Sequence, residues 1–164
     1  MIWAVVLAAG AATRFGSPKQ RRLLPGVLER VRASSVDDLV VVLGAYEVET
    51  DARTVRCDEW ERGIGASLRC GLRALPEDAE TAVVILADGP RLAPAAVDRV
   101  IAAWQETGEE IVAATYDGIR LHPVLLARSA WNRVPDEGAR NLPAQLVPCD
   151  DLGDPGDVDR LEDL

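Results

Sequence analysis

The chain has 164 residues, 48% of them hydrophobic, which suits one domain with a sizeable core and excludes disorder as a starting point. Its net charge of −9 makes nucleic acid an unfavourable partner, and no apolar run approaches the length of a membrane span. Three cysteines at wide spacing, Cys57, Cys70 and Cys149, read as reduced packing thiols of a cytoplasmic protein, with no zinc spacing among them.

The chain opens with Ile2–Ala8, an apolar run that reads as a buried strand, without the basic flank of a signal peptide. A loop rich in small residues follows at once. Val27, Leu28 and Val31 then suggest a short first helix. Leu39–Leu43 is the second buried strand, and Thr54–Cys57 is a shorter candidate. Leu68, Leu72 and Leu75 mark a second helix, closed by Pro76. Ala82–Ala87 is the third long strand. Val97, Val100, Ile101 and Trp104 recur at helical spacing between Pro94 at the start and Gly108 at the stop. Ile111–Ala114, Pro123–Leu126 and Leu146–Val147 complete the strands. Alternating strands and helices predict an α/β fold with a mainly parallel sheet, spanning 1–164 as one domain.

Charge is unevenly spread. Residues 1–32 carry Arg14, Lys19, Arg21, Arg22, Arg30 and Arg32 against Glu29 alone, and residues 150–164 carry seven acids against Arg160. The head suits phosphates and the tail suits a metal, although charge alone favours two solvated surfaces.

The first loop concentrates the chemistry. Leu7-Ala8-Ala9-Gly10-Ala11 leaves backbone N–H groups open to anionic oxygens at a strand's carboxyl end. Arg14 and Lys19 add fixed positive charge, Arg as a two-pronged donor and Lys as a point charge. Lys19 is the only lysine among 18 basic residues. Neither GxGxxG nor GxxxxGK[ST] is present, so the nicotinamide-binding and Walker loops do not fit.

Leu-Ala-Ala-Gly, three residues, Arg-Phe-Gly, two residues, Lys-Gln does resemble the opening of the MobA-like nucleotidyltransferases, and among them that of the molybdenum-cofactor cytidylyltransferases. Ala87-Asp88-Gly89-Pro90, Trp60-Glu61-Arg62-Gly63 with Ser67-Leu68, Tyr116-Asp117-Gly118 with His122-Pro123-Val124, Gly138-Ala139-Arg140 and Asp157-Val158-Asp159 carry the likeness along nearly the whole chain. The resemblance implies a three-layer α/β/α sandwich with a Rossmann-like mixed sheet, of the nucleotide-diphospho-sugar transferase type. It implies transfer of CMP from CTP to a phosphorylated acceptor, a pterin-type molybdenum cofactor, with Mg2+. Arg14, Lys19 and Asp88 would be catalytic. Leu7 to Ala11, Arg14, Lys19, Cys57, Ser67 and Asp88 would meet the nucleotide. Asp88 with Asp159 or Asp157 would hold the metal, and Gly89, Pro90 and His122 would face the acceptor.

Duller readings stand beside these. Asp88 suits a turn, Ser67 a helix cap, Asp157 and Asp159 a solvated loop, and His122 a local hydrogen bond. Cys57, Gly89, Leu121 and Arg160 depart from the family pattern, and the turn after Pro25 is shortened. The departures keep open transfer to another small phosphate or sugar phosphate, or nucleotide binding without catalysis. A redox enzyme is disfavoured by the missing dinucleotide fingerprint.

Overall fold

The computed structural model describes residues 1–10 and 19–157, with the backbone alone for Lys19 and Gln20. Its centre is a seven-stranded sheet in the order β3-β2-β1-β4-β6-β5-β7. The strands are β1 (Ile2–Ala8), β2 (Asp38–Leu43), β3 (Arg53–Arg56), β4 (Thr81–Leu86), β5 (Ile111–Tyr116), β6 (Ile119–Ala127) and β7 (Gln145–Pro148). β1 pairs in parallel with β2 and β4, β2 with β3, and β5 with β7, whereas β6 runs antiparallel to β4 and β5. The sheet is therefore mainly parallel and mixed, as expected from the sequence.

Among the described residues three helices cover it: α1 (Lys19–Arg32), α2 (Ile64–Arg73) and α3 (Pro94–Thr107). Alternate residues of the strands feed two separate cores. Ala4, Val6 and Ala8 of β1 join Leu24, Val27 and Val31 of α1 and Val97, Val100 and Ile101 of α3. Trp3, Val5 and Leu7 point the other way, to Leu68 and Leu72 of α2. This period-two division explains why β1, β2 and β4 read as unbroken apolar runs: both faces are covered.

The sequence placed the long elements well and their ends less well. The first helix is not short. It begins at Lys19 and passes through Pro25, so the segment expected to hold a turn is helical. The third helix behaves as predicted, with Pro94 in its first turn and Gly108 left-handed at its end (φ 71°). β5 and β6 extend beyond their predicted cores and form a hairpin. Asp117 (φ 53°) and Gly118 (φ 78°) are both left-handed, which suits a two-residue turn matched to strand twist. The Asp-Gly pair carried that signal.

The cysteine expectation is corrected for two of the three residues. Cys57 and Cys70 form a disulfide, with Cα atoms 5.8 Å apart. Their separation of 13 residues hid the pairing, because β3 and α2 are brought side by side only by packing on the sheet. Cys149 is a free, buried thiol, as expected. Among the described residues no helix is long and apolar enough to cross a membrane.

Candidate active site

The carboxyl ends of β1 and β4 lie side by side. Leu7 pairs with Leu86, and the Ala87 N–H donates to the Leu7 carbonyl at 3.0 Å, carrying the pairing one residue past β4. Asp88 therefore leaves the sheet next to Ala9 and Gly10, on a neighbouring strand about 4.8 Å away in the pairing direction. Leu7, Ala8 and Ala9 are buried while Gly10 is exposed, so the backbone emerges into solvent at Gly10. Asp88 is half-buried in the turn after β4, where the Gly89 N–H donates to the Leu86 carbonyl at 3.3 Å.

Lys19 opens α1 at this same edge. The Arg21 guanidinium donates from Nε and Nη2 to the Glu47 carbonyl, at 3.4 and 3.3 Å, and Glu47 lies just beyond the carboxyl end of β2. Residues after α1 return to the opposite edge, where the Asp37 N–H donates to the Ile2 carbonyl at 2.8 Å. The backbone at Gly10, the first residue of α1 and Asp88 thus share one end of the sheet. Ala11, Arg14 and Asp159 lie outside the described residues.

The C-terminal segment closes on the Asp88 turn. The Arg91 N–H donates to the Pro155 carbonyl at 2.8 Å, Arg91 pairs with Asp154, and Pro155 is buried. Asp157 is exposed two residues further on, within chain reach of this turn. A pair of carboxylates at such an edge suits a hard cation that takes its remaining ligands from phosphate and water. Much of the acidic tail has other work: Asp151 pairs with Arg99 in two hydrogen bonds, and Asp150 accepts from the Asp117 N–H. Likewise Arg30 and Arg32 of the basic head donate to the Leu92 carbonyl and to Asp51.

His122 meets the Asp88 turn from β6. A Cβ built on Gly89 would lie 2.7 Å from its Nε2 and 3.2 Å from the Pro155 Cβ, so this imidazole is compatible only with a glycine at 89 unless something shifts. His122 is buried, and burial lowers its pKa to about 4, leaving it neutral at pH 7. Its Nε2 has no hydrogen-bond partner among the described residues. The local-hydrogen-bond reading is met only by its backbone carbonyl, which accepts from the Tyr116 hydroxyl at 3.1 Å.

Beside His122 lies a cavity of about 280 Å³. Leu7, Val84, Leu86 and Val124 form its floor, with α2 on one side and residues 137–140 on the other. Those residues are held in place by close approaches. The Gly65 N–H donates to the Asp136 carbonyl at 2.8 Å, a Cβ on Gly65 would lie 1.6 Å from the Pro135 carbonyl oxygen, and Asp136 receives Arg69 and Arg62. The Arg69 guanidinium holds the Asp136 carboxyl below the usual carboxylate range.

The structure bears on two of the residues expected at the nucleotide site. Ser67 is no helix cap: Gly63 occupies that position, and Ser67 sits buried in the first turn of α2. Cys57 cannot offer a thiol to a nucleotide while it is bonded to Cys70, and it is buried. Gly44 was missed altogether. A Cβ there would come within 2.5 Å of the Ala9 carbonyl oxygen and 2.7 Å of the Trp60 ring, so Gly44 lets the β1 tip and Trp60 close together. Its sequence signal was a glycine just past an apolar strand.

The model of the MobA-like NTP transferase domain matches residues 4–147. The chain belongs to that family. Its members are nucleotidyltransferases that take a nucleoside triphosphate, a divalent metal ion and a phosphorylated acceptor. Among curated proteins the domain is 35% identical over 111 residues to the bifunctional protein GlmU of Corynebacterium aurimucosum, covering 56% of this chain and 23% of that one. It is also 35% identical over 118 residues to the 2-C-methyl-D-erythritol 4-phosphate cytidylyltransferase of Stenotrophomonas maltophilia, covering 61% and 51%. The chain thus spans about half or less of these relatives. Rv0371c of Mycobacterium tuberculosis H37Rv superposes with a TM-score of 0.80 at 28% identity, over 99% of this chain and 94% of that one. The same protein in complex with manganese gives 0.74 at 25% identity, over 99% and 95%.

Proposed function

We propose that this domain moves CMP from CTP to a phosphorylated, pterin-type acceptor, releasing pyrophosphate, in the cytoplasm. The observation that carries the transfer reading is the shared sheet edge: the Ala8–Gly10 backbone, the start of α1 and Asp88 converge there. Backbone N–H groups and the cations Arg14 and Lys19 would take the triphosphate oxygens. Asp88 and Asp157 or Asp159 would hold Mg2+, and the manganese complex of Rv0371c is in keeping with a divalent ion. The metal supplies neutralisation of charge on the transferring phosphate and the leaving pyrophosphate. The protein's part is alignment, so no side-chain nucleophile is needed when the acceptor attacks through its own phosphate oxygen.

Cytidine is preferred for its motif, Leu7-Ala8-Ala9-Gly10, and the identity to a cytidylyltransferase is in keeping with it. Pyrophosphate release should appear with CTP, Mg2+ and acceptor together. Equal turnover with all four ribonucleoside triphosphates would remove the cytidine assignment. Asp88→Asn should abolish metal-dependent turnover while leaving the melting temperature within a few degrees of the parent; near-parental turnover would remove Asp88 from the metal site.

A further inference from the structure

The Cys57–Cys70 bond borders the sheet edge where β1 ends. The Cys57 N–H donates to the Leu43 carbonyl at 2.7 Å, and Leu43 pairs with Ala8. Three residues on, the Trp60 ring lies against Gly44, which in turn lies against the Ala9 carbonyl. Gly63 then leads the chain into α2, which carries Cys70. Within this segment Arg62 and Gly63 donate to Glu59 and Trp60, so those bonds are internal. From outside, it is held chiefly by Trp60, by the exposed Arg62–Asp136 pair and by the disulfide.

The two sulfurs differ. Cys57 is buried, and its Sγ lies 3.6 Å from the Ala66 carbonyl oxygen, an acceptor in place for an S–H once the bond is open. Cys70 is half-buried, and the exposed Arg73 donates from Nη2 to its Sγ at 3.5 Å. A guanidinium there favours a thiolate at Cys70. Arg73 has no ion pair among the described residues and borders a groove of about 340 Å³. Arg69, Arg128 and Asn132 complete its polar lining over Trp131 and two leucines. Asp136 neutralises Arg69, whereas Arg128 donates to backbone carbonyls and keeps its charge.

We propose that Cys57 and Cys70 form a reversible dithiol–disulfide pair, exchanged through Cys70 by an anionic low-molecular-weight thiol, and that the closed bond pre-orders the nucleotide edge. In opening, the external thiolate attacks Cys70 Sγ, and Cys57 leaves as a thiolate and takes a proton. A second external thiolate attacks the mixed disulfide and releases Cys70, so two protein thiols form and two external thiols become one disulfide. Closing runs the same steps backwards from the Cys70 thiolate. Cys149, buried in the other core, takes no part. Opening frees the segment that presses Trp60 toward the β1 tip, and a site that must order this segment on binding holds its ligand less tightly. The effect on nucleotide rests on the transferase reading; the exchange chemistry does not.

The parent protein is compared oxidised and in dithiothreitol. Reduction should speed amide hydrogen exchange across residues 58–62 and weaken CTP–Mg2+ binding by about fivefold or more, reversibly on reoxidation. The Cys57→Ser/Cys70→Ser protein should not respond to reductant. Equal exchange in the two states of the parent overturns the proposal, as does equal CTP affinity. If no triphosphate binds in either state while exchange still responds, the transferase reading falls and the thiol pair stands. The route of exchange is read by intact mass and peptide mapping. With glutathione disulfide, reduced Cys57→Ser should gain one glutathione at Cys70, and reduced Cys70→Ser should gain none at Cys57. Arg73→Gln should slow the gain several-fold, and the cationic disulfide cystamine should react more slowly than glutathione disulfide. Faster labelling of Cys57 than of Cys70, or equal rates for the two disulfides, overturns the assigned route.

Discussion

His122 and Gly89 act as one unit. The imidazole occupies the space a side chain at 89 would need. Gly89→Ala should cost on the order of 1–3 kcal/mol in urea denaturation. The cost should shrink in a His122→Ala background, and an unchanged cost there would mean the ring is not the obstacle. The buried imidazole also sets a pH dependence. Its folded pKa, about 4, lies below the unfolded value of 6.5, so the unfolded chain binds the extra proton between them. Stability from this group is complete above pH 6.5 and is lost as pH falls toward 4, by on the order of 3 kcal/mol. His122→Gln should flatten the urea midpoint across that window. From the sequence, His122 was visible as a lone histidine in a motif, but its burial and its partner across the sheet edge were not.

At the scale of elements, α2 is fixed at both ends. At its start, Gly63 and Gly65 accept the backbone of 135–136 at distances no Cβ permits, and Arg69 and Arg62 hold Asp136. Gly65→Ala should destabilise by several kcal/mol, because a backbone carbonyl rather than a pliable side chain stands in the way. Toward its other end, Cys70 is joined to Cys57. Closing a loop of this length contributes about 3 kcal/mol through the unfolded chain. Reduction should therefore lower the chemical-denaturation midpoint of the parent and leave a Cys57→Ser/Cys70→Ser protein unchanged; equal midpoints for the parent with and without reductant would show that the bond contributes nothing. Strand and helix cores were legible from period and caps. The α2 anchors were not, because their glycines are explained by residues 70 positions away in the chain.

Across the whole molecule, the acidic tail and basic head are only partly free for a ligand. Asp150, Asp151 and Asp154 tether the last described segment to the Asp117 turn, α3 and the Asp88 turn. A saturating triphosphate with Mg2+ should raise apparent stability through native-state binding, by about 2.7 kcal/mol at a hundredfold excess over Kd. Lys19→Ala should reduce that gain, read as a smaller thermal shift at the same CTP concentration.

The sequence by itself determined the class of fold, its main strands and the loop chemistry that marks the family, because hydrophobic period, helix caps and a dense local motif are encoded within a few neighbouring residues. Tertiary structure alone decided that Asp88 stands beside the β1 tip, that Gly89 makes room for His122, and that Cys57 meets Cys70. Each of those depends on sheet order and on the approach of segments far apart in the chain, which parallel crossovers set and no local pattern records.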